Sequence, residues 1–583
     1  MIVKMRHLTV LCTESSKKEA LDALQSLGVM HVAPGTAAAG ATPDLASAEK
    51  ALSNAEKALG ILAEVADGAN GGVAAASPED VVAAAAKIAE LESSLAAKRS
   101  EIAAYVPFGD FNPADASELT RRGISIRLFT SATGELPAAR PGGSVKMLGK
   151  GAGKSIYGVA FGDVDLGAAE EVALPAKSLA EMIRESEATK GALAAARDKL
   201  SGFRGSLEKL REALAERKVV RDFLAAEASM GAESGVAWLT GFCPVEALDK
   251  VRDAAEAHGW GIASREPAAD ELPPTLLRPP RIFKPITTLF EMLGITPSYY
   301  EADVSVVFYA FFTIFFAMLI GDAGYGAVIL ALTIFCRRKF RKAPSAPFIL
   351  LGVFSGATIA WGILTATYFG IPQESLPAFL RFKTAAWFGD QSNIMQLCFF
   401  LGALHLTIAR LWSARDLWPD TKALAEVGWA GVVWTMYCVS CLVVVDGFVF
   451  PKFMWGVAAV SALLIYLFML KKEELKTEGV NLALLPLNIV SCLGDIISYV
   501  RLFAVGLASV KVAENFNSMA TGLELPLAVK IPVMLLILAV GHGLNFAMGA
   551  LSILVHAVRL NTLEFSNHKG ISWSGFAYEP FRK

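Results

Sequence analysis

A chain of 583 residues that is 54% hydrophobic and only 19% charged is too long for one ordinary domain and too apolar to lie wholly in water. Its formal net charge of -2 excludes the strongly basic balance of a dedicated nucleic-acid binder. The charges are also uneven: Val304 to Gly321 contains no Asp, Glu, Lys or Arg, so the chain divides near Asp303 into a charged first half and an apolar second half.

In chain order, "MIVKMRHLTVLCTESSKKEA" has a short apolar patch followed at once by charges and no small-residue cleavage site. It is not expected to act as a signal peptide, and the first half is expected in the cytosol. Lys4 to Leu11 reads as a strand, "SSKKEALDALQSLG" as an amphipathic helix ended by Gly28, and "VMHV" as a second strand, together a small α+β lobe. From Leu45 to Ala104 the text is Ala, Glu, Lys and Leu with heptad-like spacing, broken by "DGANGGV" and restarted at "SPED"; Lys177 to Ser229 is similar. Such stretches predict long helices pairing as an antiparallel coiled coil.

Strand-like pieces lie between these arms ("ISIRLFT", "SIYGVAF") and after the second ("GVAWLTGFCP", "GWGIAS"), which predicts α+β lobes at the ends of a helical rod. "LGKGAGKS", Leu148 to Ser155, resembles a phosphate loop, but Leu148 stands where the pattern needs glycine and strand text follows where a helix must open. It reads as a glycine-rich turn, so neither a nucleotide site nor a cofactor is expected. Cys12, Cys243, Cys336, Cys398, Cys438, Cys441 and Cys492 are scattered and predict no disulfide framework or metal site; Cys438 and Cys441 lie within an apolar helix and read as packing residues.

"PPTLLRPPRIFKPI", Pro273 to Ile286, is a proline-rich basic boundary. The expected division is 1–280 as a cytosolic arm, 281–303 as a linker and 304–583 as an all-α membrane bundle. At about 20 residues per crossing, the second half yields about eight transmembrane spans, near 304–321, 323–336, 347–370, 393–413, 425–449, 453–470, 482–512 and 526–558. "RRKFRK", "ARDLWPDTK" and "KKEELK", after spans two, four and six, are the basic loops, whereas "IPQESLPAFLRFKTAAWFGDQ" is balanced. The basic loops belong in the cytosol, which with eight spans puts both termini there.

"SYVRLFAVGL" sets Arg501 in the middle of an apolar span, where an arginine costs at least about 2.5 to 3.5 kcal/mol and needs a partner or a purpose. In the last span His542, Asn545, Gly549, Ser552, His556 and Arg559 recur at steps of three and four, one stripe along a helix. Asp495, Ser498 and Arg501 step by three on the preceding span. Two polar stripes on neighbouring spans predict facing helices with a hydrated, ionisable interior, with Asp495 a candidate partner of Arg501. The carboxylates Asp322, Asp446 and Glu514 lie mostly toward span ends, so the central cation looks as though its carboxylate arrives on another subunit. Two other readings stay open from the residues: a self-contained secondary ion transporter with a cytosolic regulatory arm, and a membrane anchor whose arginines only pair with acids.

"PFGDF" (107–111), "GFCP" (241–244), "PPTLL" (273–277), "GDAGYG" (321–326), "SYVRLFAVGLA" (498–508) and "VHAVRLNTLEF" (555–565) together resemble the a/I subunit family of rotary V-type and A-type ATPases, the static membrane subunit beside a rotating proteolipid ring. The resemblance implies a non-catalytic subunit whose Arg501 and Arg559 face the ring; the polar stripes add His556, His542, Asn545, Asp495, Ser498 and Ser552 as expected ion-translocation residues, with Asp322, Glu564 and Asp446 as possible half-channel groups. It implies a stator arm holding peripheral stalk subunits of E and G type, a central-stalk cap subunit as a further partner, and the plasma membrane of a prokaryote. Eukaryotic members often carry histidine eight residues after the first arginine and glutamate ten before the second; Ser509 and Gly549 stand there in this chain.

Overall fold

The structure, a computed structural model, describes residues 1–33, 42–65, 76–151, 155–377, 380, 385–388, 390–469 and 484–583. The "DGANGGV" break and the basic "KKEELK" loop lie outside the described residues. The chain forms two compact units: one of Met1–Leu8, Phe242–Lys250 and Ala263–Pro580, the other of Thr9–Gly241, Val251–Ile262 and Phe581–Lys583.

In the second of these, the helix Lys17–Leu27 ends where Gly28 takes a left-handed conformation (φ 61°) and its N–H returns to the Leu24 carbonyl. The long helices start as their caps dictate. Ser77 Oγ accepts from Asp80 N at 3.2 Å while Asp80 Oδ2 accepts from Ser77 N at 3.0 Å, opening Pro78–Tyr105; Ser178 and Glu181 repeat the device at Leu179–Gly202. Pro78–Tyr105 packs on Leu179–Gly202, and Pro43–Glu64 on Leu207–Ser229. Glu92 pairs with Arg197 at 2.5 Å and Lys98 bonds Thr189 at 2.9 Å, so the first pair is antiparallel. The stretch expected to continue from Lys177 to Ser229 is divided by a 3₁₀ turn, Phe203–Ser206, because Phe203 turns into an apolar cluster with Ala58, Leu62, Val81, Leu200 and Leu210.

A four-stranded sheet orders its strands Ser144–Lys150, Ile156–Phe161, Ile126–Ser131, Glu170–Val172. Ser144–Lys150 and Ile156–Phe161 are antiparallel neighbours, and Gly151 N donates to Ser155 O at 2.8 Å, so the glycine-rich stretch joins two strands, with residues 152–154 outside the described set. A phosphate loop must open a helix. A second, five-stranded sheet has the order Gly261–Arg265, Met5–Thr13, Val236–Pro244, His31–Val32, with Gly231–Glu233 also on Val236–Pro244.

In the unit that contains the apolar half, the proline-rich stretch is not a free tether. Val3 N donates to Leu276 O at 2.9 Å, Thr275 N to Phe576 O at 2.8 Å and Tyr578 N to Thr275 O at 3.0 Å, knitting residues far apart in sequence. Within the expected linker, Ile286–Leu293 is a helix whose Ile286, Leu289 and Phe290 join the main apolar core.

All eight expected spans carry helix, but length and composition qualify fewer of them as crossings. Among the described residues Ser345–Leu364, Gln391–Leu417, Lys422–Val444, Leu485–Thr521 and Leu527–Lys569 are long and apolar enough, five in all, or six if the pair Ser305–Ile320 and Ala323–Lys339, bent by 118°, counts as one. Phe453–Phe468 has 16 residues, roughly 24 Å of helix against a hydrocarbon core of about 30 Å. The bend follows from Gly321 (φ 71°) and from Asp322, buried and capping Ala323–Lys339: its Oδ1 accepts from Gly324 N and Tyr325 N at 2.7 and 3.2 Å, its Oδ2 from Gly370 N at 3.1 Å. Ser305–Ile320 is apolar on all sides and is buried among its neighbours, its Phe308, Phe312 and Phe315 at the centre of the core.

Candidate functional site

Arg501 opens the helix Val500–Thr521, one turn after the preceding helix Leu485–Ile497 ends. The break at Ser498 and Tyr499 frees the Ser498 carbonyl, which accepts from Arg501 Nε at 2.9 Å. The guanidinium then reaches Glu564, Nη2 to Oε1 at 2.7 Å. Arg559 Nε meets that same oxygen at 3.2 Å. Glu564 is 3% exposed and its Oε2 has no partner among the described residues, whereas Arg501 is 24% and Arg559 51% exposed. One buried anion thus sits under two cations, leaving a net positive patch that opens outward. His556 lies within electrostatic reach of both arginines, its Nδ1 buried without a partner among the described residues.

The candidate pair Arg501 and Asp495 is not formed. Asp495 Oδ2 instead meets His568 Nε2 at 3.0 Å. The reason is spacing: six residues of α-helix turn Asp495 roughly 120° away from Arg501 and carry it about 9 Å along the axis. Ser498 contributes its carbonyl to Arg501. Glu564 escapes the α-helical stripe because Ile553–Ala557 and Leu560–Phe565 are π-helical turns. Five residues apart on an α-helix, Arg559 and Glu564 would sit roughly 140° around from each other; the wider π turn stacks them.

Two polar networks flank this cluster. In one, Arg410 Nε donates to His568 Nδ1 at 3.0 Å, and Arg410 Nη1 to Glu426 Oε2 at 3.0 Å. Because a guanidinium only donates, His568 Nδ1 must accept, and its Nε2–H is the proton offered to Asp495. This chain borders a cleft of about 520 Å³ lined also by Asn488, Ser491 and Asn567. In the other, Asn545 Nδ2 donates to the Tyr325 hydroxyl and to Ser509 O, each at 3.0 Å, while Ser509 Oγ donates to Asn545 Oδ1 at 3.0 Å. The Tyr325 hydroxyl meets His542 Nδ1 at 2.6 Å, and His542 Nε2 meets Asn517 Oδ1 at 3.2 Å. The last two helices therefore do face each other, but through Ser509 and Asn517 rather than through Asp495 and Ser498. A second cleft of about 200 Å³ runs beside residues 502–514, lined by Gly321, Thr365, Thr367, Gln391, Lys511 and Glu514.

The remaining expected residues stand apart. Asp322 is consumed as a helix cap, its oxygens taken by backbone amides. Asp446 is exposed in the loop after Lys422–Val444. Ser552 is half-buried where the last helix enters its π turns. Arg410, Glu426 and His568 were missed by sequence reasoning, although Arg410 inside an apolar span carries the same signal as Arg501. No group of His, Cys, Asp and Glu able to hold a metal ion occurs among the described residues.

No family model matches the chain. Over 635 aligned positions it is 30% identical to the V-type ATP synthase subunit I 1 of Treponema pallidum, covering all of both chains. It is 28% identical over 624 positions to the V-type ATP synthase subunit I of Borreliella burgdorferi, again end to end. The A-type ATP synthase subunit I of Archaeoglobus fulgidus is 26% identical over 398 positions, 59% of this chain and 58% of that one. A crystal structure of the cytoplasmic N-terminal domain of a subunit I, homologue of subunit a of V-ATPase, aligns with 45% of this chain and all of its own at 19% identity, with a TM-score of 0.20. By its end-to-end similarity this chain belongs to the subunit I family of V-type and A-type ATP synthases, subunits of the membrane sector.

Proposed function

We propose that this chain is the static, ion-translocating subunit of a rotary ATPase, with Arg501 as the fixed charge that mobile carboxylates on a proteolipid ring must pass. The observation that carries the reading is the arginine pair over one buried carboxylate, with a cleft beside residues 488–495 on one side of Arg501 and another beside 502–514 on the other. A cation between two aqueous half-channels lowers the pKa of a passing carboxylate and favours its ionised form. The carboxylate releases its ion into one half-channel, pairs with Arg501, and reloads from the other before returning to lipid, where a bare charge is costly. Transport and rotation become one event.

On this reading the Asp495 and His568 network lines the cytosolic half-channel, and the Tyr325, His542, Asn545 and Ser509 network supports the opposite one. Arg559 raises the positive potential beside the neutral ring of His556, and Glu564 is the counter-ion of the two arginines. Residues 1–280 form the cytosolic arm, which would hold peripheral stalks of E and G type and approach the central-stalk cap; 281–303 lead into the membrane domain, 304–583. That domain would cross the plasma membrane of a prokaryote eight times with both termini in the cytosol. Leu485–Thr521 counts 37 residues, roughly 55 Å of helix, and would have to tilt to stay within lipid. The nucleotide sites would lie on other subunits.

The test is Arg501→Ala in the whole complex. Coupled ion pumping should vanish while the complex still assembles with its proteolipid; normal pumping by that variant would sink the reading. Gradient-driven flux through the purified chain alone would favour a self-contained transporter.

A further inference from the structure

His405 lies outside the arginine cluster, yet it is fully buried in the aromatic core and is held on three sides. Phe311 stacks on one face of its ring with centroids 4.0 Å apart, and Phe565 on the other at 4.5 Å. In the ring plane Nδ1 meets the Tyr499 hydroxyl at 2.9 Å, while Nε2 has no partner among the described residues. A buried ring nitrogen left unpaired is destabilising, and a phenylalanine would fill the same slot without that cost. What the imidazole adds over an apolar ring is the single bond to Tyr499.

Tyr499 stands at the break between Leu485–Ile497 and Val500–Thr521, two residues before Arg501, and is itself fully buried. Its ring lies flat over Gly402, where an added Cβ would come within 2.6 Å of it, so the glycine gives the tyrosine its seat. The neighbouring Ser498 carbonyl is the one that receives Arg501 Nε at 2.9 Å. Phe565, on the other face of His405, directly follows Glu564. One side chain therefore touches the residues that precede Arg501 and follow Glu564, the two ends of the 2.7 Å ion pair.

We propose that His405 is a positioning residue of the translocation site: bonded to Tyr499 and stacked on Phe565, it fixes the two backbones from which Arg501 and Glu564 reach each other. This inference rests on the stator reading above. A rotary site is sensitive to such positioning, because Arg501 has to stay within reach of a carboxylate that moves past while blocking passage of the bare ion; displacement of a reacting group by about 1 Å can lower a rate by up to about a hundredfold.

The experiment uses the intact rotary complex reconstituted in vesicles, with ions moved per ATP hydrolysed as the readout. Tyr499→Phe removes one oxygen and His405→Phe removes the bond while keeping a stacked ring. Both should assemble, hydrolyse ATP, and move about tenfold fewer ions per ATP. His405→Asn, whose amide can return a hydrogen bond to Tyr499, should recover part of the loss, and the double variant should be no worse than either single one, because one bond is removed in each case. A purely structural role would lower the amount of assembled complex and leave the ratio of ions to ATP unchanged. If His405→Phe fails to assemble, Tyr499→Phe decides the matter by itself. A wild-type ratio in Tyr499→Phe overturns the positioning role if Arg501→Ala still abolishes pumping; pumping that survives Arg501→Ala overturns the stator reading beneath it.

Discussion

Glu564 receives both arginines on one oxygen while its other oxygen is buried with no partner among the described residues, so its charge rather than its shape is what the cluster uses. Glu564→Gln should leave two uncompensated guanidiniums, hold each passing carboxylate longer, and lower its pKa further. ATP-driven pumping should fall by about tenfold and its pH optimum move about one unit toward acid, because reloading then needs more protons; an unchanged pH profile would remove Glu564 from the site. Asp322 calls for a different test, since its two oxygens accept three backbone N–H groups. Asp322→Asn would turn an N–H toward the Gly370 N–H and cost about 1–3 kcal/mol, read as a lower unfolding midpoint in detergent with no selective loss of coupling. At this scale Arg501, Arg559 and the histidine stripe were visible in the sequence because charge inside apolar text is rare. The arginines' shared partner was not: Glu564 sits one π turn from Arg559, a device that leaves no mark in residue spacing.

The helices were legible from their ends. Ser77 with Asp80, in "SPED", announces a helix start and Gly28 a stop, because unpaired backbone groups at helix termini must find local partners. How helices meet was less so. A Cβ on Gly362 would lie 2.1 Å from Ala323 N, so Ser345–Leu364 approaches Ala323–Lys339 at backbone contact there, while Gly352 and Gly356 on the same helix face open space. Gly362→Ala should destabilise the membrane unit by about 1–3 kcal/mol, whereas Gly356→Ala should be neutral or slightly stabilising; equal midpoints for the two variants would contradict the close packing. In the arm, Arg217 grips Glu79 through two bonds of 2.8 and 3.0 Å and holds its carboxyl below the usual range. A depressed carboxylate contributes stability above its unfolded value, lost as pH falls through the folded one. The pair is half exposed and should be worth less than about 1 kcal/mol. The gap in unfolding midpoint between wild type and Glu79→Gln should therefore be small at pH 7 and close as the pH falls through the lowered range in which Glu79 takes up its proton; a gap that persists in acid would assign it to packing.

For the whole molecule, the proposed topology places Arg341 in a cytosolic loop and Glu374 on the opposite side. In a cysteine-free background a membrane-impermeant maleimide added to intact cells should label Glu374→Cys and spare Arg341→Cys until the membrane is opened; the reverse pattern would invert the proposed half-channels. What the sequence determined by itself was the positions of the apolar helices and the presence of cations within them, since these follow from composition and from local periodicity. Only the tertiary structure decided that the proline-rich stretch is knitted to residues 576–578, that the first apolar pair is bent by 118°, and which acid answers which base. The physical reason is one of range: solvation and helix propensity act on each residue where it stands, whereas an ion pair 63 positions apart forms only after helix breaks and π turns have set the directions of the side chains.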